Sequence, residues 1–217
     1  MRWNFLTLLL ALVIFLVVTP FFNNAPWGGM ALTGAISIVL IISLFAIGHK
    51  RSTLRGGLIL LIPTLIFGWM IYFVPSQIIH ICAYSLGFLF LSYVIVHLSL
   101  LIFFSPTISR DTIYGALSIY LLLGLAFAEI YSLIVITTPD AFAVNFTPLI
   151  GQLHEEVSFL SENAIYFSFV TLTTLGYGDI TPLYSPAKFL SILEAITGQL
   201  FIATAIARIM GIYLKKD

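Results

Sequence analysis

Charge is what this sequence has least of. Of its 217 residues, 9 are Lys or Arg and 9 are Asp or Glu, so charged residues make up 8% and the formal net charge is zero. Soluble domains carry about 25% charged residues. A chain that is 60% hydrophobic with so little polar cover cannot hide its apolar surface from water, which excludes a water-soluble fold and leaves an integral membrane protein. The balanced charge gives no basic face for nucleic acid. Cysteine is almost missing too. Cys82 stands alone in an apolar run, so no internal disulfide is available and the redox compartment is unmarked. Enzyme signatures are also missing. There is no His-Glu-x-x-His, no Gly-x-Ser-x-Gly and no pair of intramembrane aspartates, so no acid, nucleophile or metal set converges. The sequence reads as a protein that is not an enzyme and needs no cofactor.

What is abundant is long apolar runs. A helix that crosses about 30 Å of hydrocarbon needs roughly 20 mostly apolar residues. Six stretches qualify: Asn4 to Thr19, Met30 to Ile47, Gly57 to Val74, Gln77 to Phe104, Thr112 to Ile136, and Pro186 to Leu214. Loop chemistry separates them. Pro20 to Gly29 collects two Pro, two Gly and two Asn, and Pro75 divides the third span from the fourth. Pro63 falls inside the third span, where neighbouring helices tolerate a kink. The first run, with Arg2 ahead of a short apolar core, resembles a secretory signal, but no convincing small-x-small cleavage site follows, and it is read as a true span.

The few basic residues set the orientation. If six spans alternate, Arg2, Lys50, Arg51, Arg55, Arg110, Lys215 and Lys216 all fall on one side, which is therefore cytoplasmic and holds both termini. Asp140, Glu155, Glu156, Glu162 and Asp179 collect on the other side as an ordinary solvated face. The expected location is the cell membrane.

Between the fifth and sixth spans the chain reads Asn-Ala-Ile-Tyr-Phe-Ser-Phe-Val-Thr-Leu-Thr-Thr-Leu-Gly-Tyr-Gly-Asp from Asn163 to Asp179. Glu162 to Thr173 is too short to cross and is predicted as a re-entrant helix, capped by Ser161 with Glu162 and Asn163 at its positive end. A Gly-rich, non-helical stretch follows. At membrane depth, such backbone survives only when buried in protein or lining water. In a strand, successive carbonyls point to opposite sides. Aiming them all at one axis requires left-handed angles at alternate residues, which Gly adopts with little penalty, and Gly176 and Gly178 alternate. The carbonyls of Thr174, Leu175, Gly176 and Tyr177 then replace the hydration shell of a potassium ion, and the Thr174 hydroxyl adds an innermost ring. Leu175 and Tyr177 are expected to point away from the axis into aromatic packing around Tyr166, Phe167 and Phe169.

Thr174-Leu175-Gly176-Tyr177-Gly178-Asp179 resembles the potassium-channel signature, with Leu where Val is commoner. The run from Tyr166 to Pro182 is similar to the pore helix and filter of voltage-gated and related bacterial potassium channels. The resemblance covers the pore module, roughly Thr112 to Leu214. It implies an all-α membrane protein of six transmembrane helices, with a re-entrant pore helix and selectivity filter between helices five and six and a tetrameric pore. Because each chain supplies one filter strand, the resemblance implies a homotetramer in lipid with K⁺ as its permeant partner and no nucleic acid. Residues 1–104 are then a four-helix peripheral domain and 105–217 the pore domain. Ion binding falls to Thr174, Leu175, Gly176, Tyr177 and Gly178. Asp179 and Glu129 match the family's filter-supporting acids. Gly198, 20 residues after Gly178, occupies the place of the inner-helix hinge, although close helix packing also selects a small residue there. Below it, Ile202, Ala203, Ile206, Ala207 and Met210 offer faces for a cavity and inner gate.

Other polar residues carry less. Glu194 is left between Lys188, which is not at a same-face spacing, and a partner on another subunit. Arg208 is read as reaching phosphate headgroups. His80 and His97 are read as hydrogen-bonded structural residues rather than pH sensors. The His154-Glu155-Glu156 stretch has no second histidine at ligand spacing and is read as part of a turret, not a metal site. The chain also departs from the voltage-gated pattern. Gln77 to Phe104 contains no Arg or Lys, and with about 2.3 kcal/mol per charge per 100 mV as the currency of voltage gating, an uncharged helix provides no such drive. Three residues follow Leu214, so ligand control is expected through the membrane part or a separate subunit. The reading is a potassium-selective channel without conventional voltage gating. The alternatives are a non-selective cation channel or a regulatory or transport subunit built on a pore loop.

Overall fold

The computed structural model describes residues 5–22, 27–48, 50–105, 109–144 and 156–213. Arg2, Asn4, Asn145, Pro148, His154, Glu155, Leu214, Lys215 and Lys216 lie outside the described residues, as does much of the predicted turret. Seven helices run through the described residues: α1 (Phe5–Phe22), α2 (Gly28–Ile47), α3 (Arg51–Met70), α4 (Gln77–Phe103), α5 (Arg110–Thr137), α6 (Glu156–Leu172) and α7 (Ser185–Tyr213). Two three-residue strands, β1 (Phe142–Val144) and β2 (Ile180–Pro182), pair antiparallel with Ala143 opposite Thr181.

All of these helices except α6 are long and apolar enough to cross a membrane, so this is an all-α, multi-pass membrane protein. The predicted spans and the helices agree closely at most ends. The largest difference is α3, which starts a turn and a half before Gly57 and takes Arg51 and Arg55 into its first turns. Their long side chains reach polar surroundings from inside a helix, so charge at a span end does not mark a loop. α1 continues through Pro20 to Phe22. Pro63 lies within α3, and next to it the Thr64 hydroxyl donates to the Leu60 carbonyl at 2.8 Å, a local bond available where proline disturbs the helical ladder.

Polar contacts at the helix ends show the alternation of crossing direction. The Phe5 amide donates to Asp111 Oδ1 at 2.8 Å, joining the starts of α1 and α5. Gln77 Nε2 donates to the Ile136 carbonyl at 2.9 Å, joining the start of α4 to the end of α5. α5 opens on a capping box in which Ser109 and Thr112 each accept the other's backbone N–H, satisfying amides that the first turn leaves open. One apolar core, including Leu8, Leu12, Leu44, Phe90, Leu98 and Leu122, runs continuously from α1 to α5. α5 is the central element, lying against α1, α4, α6 and α7.

Candidate functional site

The re-entrant helix is longer than predicted. α6 begins at Glu156 rather than Glu162 and spans 17 residues, so Ser161 lies inside the helix instead of capping it. The added turns mix polar and apolar residues, and taking Ser161 as the cap left them outside the predicted helix. α6 is wedged against α5. Phe169 sits where a Cβ on Gly124 would be, and Phe167 meets Tyr131 edge-on at 4.9 Å and Phe142 at 5.1 Å between ring centres.

At its end α6 tightens rather than stopping cleanly. The Thr174 amide donates to the Thr171 carbonyl at 2.9 Å, and the amides of Leu175 and Gly176 both donate to Val170 at 2.9 and 3.3 Å. The chain then leaves in an unusual conformation. Thr174 has φ 58°, Gly176 φ 58° and Gly178 φ 79°, the described residues' whole set of positive-φ positions. Left-handed angles at every second residue cancel the alternation of an ordinary strand, so successive carbonyls turn toward one side. Glycine accepts this at no steric penalty. Thr174 does not, and its conformation costs on the order of 1–2 kcal/mol. Strain of this kind in a non-glycine residue marks a place where geometry has been kept for a purpose.

The segment is held at its far end. The Tyr166 hydroxyl of α6 donates to Asp179 Oδ2, and Asp179 Oδ1 accepts from the Ile180 amide at 2.9 Å. The tyrosine bond, with the backbone amide, holds the Asp179 carboxyl below the usual carboxylate range. Pairing of β2 with β1, together with the Leu183 and Tyr184 amides on the Ala141 carbonyl at 2.8 and 3.1 Å, ties the following residues to the segment after α5. Strands of three residues are too short to show a period, so this clasp was not visible in the sequence. Residues 173–178 remain exposed in the single chain. Leu175 and Tyr177 are more than half exposed, while Phe167 and Phe169 pack toward α5 rather than beneath them. The expected aromatic collar is therefore not completed by these rings within one chain.

The supporting acids are arranged differently from expectation. Glu129 turns its carboxyl to α4, close enough that a Cβ on Gly87 would come within 2.9 Å of it. Among the described residues its contact is with α4, and none joins it to residues 173–177. The missing side chain at Gly87 is what admits the carboxyl. Glu194 is the acid enclosed between α5, α6 and α7. It is fully buried on α7, receives the Tyr131 hydroxyl at 2.7 Å and lies in hydrogen-bond contact with Ser168 of α6. Within its own chain its partners are Tyr131 and Ser168, and Lys188 is not among them. The signal was present, since Tyr131, Ser168 and Glu194 are polar residues in apolar runs, but nothing in their spacing joins three different helices.

The remaining positions fall as follows. Gly198 lies against the end of α6, and a Cβ there would collide with the Leu172 carbonyl. α7 is continuous through it. Gln199 Nε2 points to Thr174 Oγ1 at 3.4 Å. Ile202, Ala203, Ile206, Ala207 and Met210 are exposed, whereas Phe201 turns inward to stack on Tyr120. Arg208 Nη2 donates to the Ser105 carbonyl just past α4 at 2.8 Å. His80 and His97 each place Nδ1 on the carbonyl one turn earlier, at Ser76 and Tyr93.

Comparison with known proteins adds an independent line. A family model described as "Ion channel" matches residues 119–215. Protein LctB of Bacillus caldotenax is 32% identical over 101 residues, covering 46% of this chain and 72% of that protein. Two-pore potassium channel 4 of Arabidopsis thaliana is 44% identical over 49 residues, and two pore potassium channel c of Oryza sativa subsp. japonica is 41% identical over 63. The plant matches cover 23% and 29% of this chain but only 17% and 13% of those proteins. No solved structure matches the chain.

Proposed function

The chain belongs to the potassium-channel family, and on that premise we propose that copies of it surround a single path selective for K⁺. It is a membrane ion channel. The finer reading is that four copies each contribute the segment Thr174 to Gly178, and that rings of carbonyl oxygens from Thr174, Leu175, Gly176 and Tyr177 replace the water around a dehydrated ion. The observation that carries it is the alternation of left-handed backbone at Thr174, Gly176 and Gly178. Asp179, through Tyr166, braces the strand from behind. The C-terminal end of α6, with its partial negative charge, favours a cation below the strand.

The tetramer has a second support. In the single chain the filter segment and the lower face of α7 are both exposed, with the Gln199 amide beside Thr174. A polar amide on an apolar helix, next to exposed irregular backbone, is stable in a membrane only where it faces other protein or water. Residues 105–217 then form the pore, residues 1–104 surround it, and both termini are cytoplasmic. Gly198 serves as a hinge only if α7 bends away from Leu172 during opening.

The test is ion flux through purified protein in liposomes, comparing K⁺, Rb⁺ and Na⁺ and adding Ba²⁺ as a blocker. K⁺ and Rb⁺ flux that greatly exceeds Na⁺ flux and is blocked by Ba²⁺ supports the reading. Equal Na⁺ and K⁺ flux leaves a non-selective cation channel in its place.

A further inference from the structure

Three helices meet at one buried carboxyl, and the protons there can be counted. Ser168 Oγ lies 2.6 Å from the Gly124 carbonyl oxygen and in hydrogen-bond contact with Glu194 Oε1. The Tyr131 hydroxyl reaches Glu194 Oε2 at 2.7 Å. Ser168, Glu194 and Tyr131 are each at most 1% exposed, so no bulk water enters the count. A serine hydroxyl has one proton, a carbonyl only accepts, and an ionised carboxylate only accepts. With Glu194 ionised, Ser168 faces two acceptors with a single proton, and one close oxygen pair is left repelling. With Glu194 neutral, its Oε1–H donates to Ser168, Ser168 donates to Gly124 and Tyr131 donates to Oε2. Every contact is then a hydrogen bond.

We propose that Glu194 is a positioning residue that acts as a neutral carboxylic acid, pinning the pore helix α6 between α5 and α7 so that the filter strand is held in its conducting shape. The neighbourhood suits a neutral acid. From α5 the titratable groups that face it are Tyr131 and Tyr120, and α6 offers Ser168. Among the described residues no Lys, Arg or His bonds to it, and Lys188 on its own helix is not at a same-face spacing. An isolated ion here would have no counter-charge to repay its desolvation. The position gives the tie its consequence. Ser168 stands one turn before Leu172, where α6 ends and the filter begins, and Glu194 stands one turn before Gly198, which touches that same Leu172. Loss of the proton replaces the Glu194–Ser168 bond by a conflict between acceptors and unpins α6. The direction is fixed: conduction is present while the acid is protonated and falls as the pH rises through its ionisation.

This rests on the ion-path reading, so the test has two readouts on the full-length protein in liposomes. The first is K⁺ flux across a pH series for the wild type, Glu194→Gln and Glu194→Ala. Gln keeps the pattern, because its amide donates to Ser168 and accepts from Tyr131 at every pH. Glu194→Gln should keep most of the neutral-pH flux and lack the alkaline fall of the wild type, while Glu194→Ala, which leaves buried hydroxyls unpartnered, should lose roughly tenfold. The second readout is the infrared carbonyl stretch of a protonated carboxylic acid, read as the difference between the wild type and Glu194→Gln at neutral pH so that any band from the other enclosed acid, Glu129, cancels. The proposal is overturned if Glu194→Gln fails like Glu194→Ala, if wild type and Glu194→Gln share the same alkaline fall, or if the acid band is missing from the difference. If the wild type passes no K⁺ at all, the channel reading falls, and the infrared band still decides the protonation of Glu194.

Discussion

α5 and α7 are nearly the same length, 28 and 29 residues, and both are apolar enough to span a bilayer. Yet half of the apolar stretch of α5 is buried within the chain, against about a tenth of that of α7. The contrast is one of partners, not composition. α5 is enclosed by α1, α4 and α6, and Leu122 and Ile119 are inaccessible. α7 buries Glu194 and turns Phe201 toward the chain, while Phe189, Ile192, Ile196 and Leu200 lie open. The lesson is that the chain packs a core on one side and leaves residues 173–178 and much of α7 open on the other. On the proposed reading that open side faces lipid and further copies.

The largest expected effect is on the open side. Gly176 has φ +58°, and nothing lies within 4 Å of the place a methyl group would take. Within its own chain Gly176→Ala meets no clash and is opposed by its backbone angle, by roughly 1–2 kcal/mol. We expect K⁺-selective flux to be lost while the size of the assembled particle is unchanged. Retained selectivity would remove the filter assignment. Next comes the seam between the two halves. Gly198→Val forces side-chain atoms into the Leu172 carbonyl, and both flux and thermal stability should fall. A variant that alters only channel opening and keeps full stability would favour a hinge over close packing.

A paired measurement sharpens the comparison further. Leu122→Ala in α5 should destabilise the protomer by about 2–5 kcal/mol, as truncation in a closed core does. Leu200→Ala in α7 should leave protomer stability nearly unaltered and weaken only association between copies, read as a shift in subunit number in mild detergent. Equal losses of stability would mean that α7 is enclosed after all. The smallest expected effect is of voltage. α4 contains no Lys or Arg, so open probability should stay almost flat across voltage steps, and a steep dependence would require charges moving elsewhere.

Much of this was legible in the sequence, for definite physical reasons. The spans follow from hydrocarbon thickness and apolar run length, which is why Gln77 and Ile47 were placed correctly as ends. The left-handed backbone at Gly176 and Gly178 was legible because glycine alone adopts it without penalty. Thr174, the strained member of the alternation, was named as an oxygen donor but not as a left-handed residue, since side-chain identity argues against that angle. The β1–β2 clasp was missed because three-residue strands show no period, and the start of α6 because Ser161 was taken as its cap. The neighbours of Glu129 and Glu194 were not legible for a different reason. Which acid faces the pore helix depends on how α4, α5, α6 and α7 rotate against one another, and small residues such as Gly87 and Gly124 decide that in three dimensions.

The central claim is that backbone oxygens of Thr174 to Tyr177 from several copies stand around one ion. A density map of the full-length protein in lipid, collected with Tl⁺ in place of K⁺, tests it most directly. The account predicts a file of heavy-ion peaks on a shared axis, each ringed by those carbonyls from four chains. Protomers without a common axis, or carbonyls turned away with no ion between them, would contradict it.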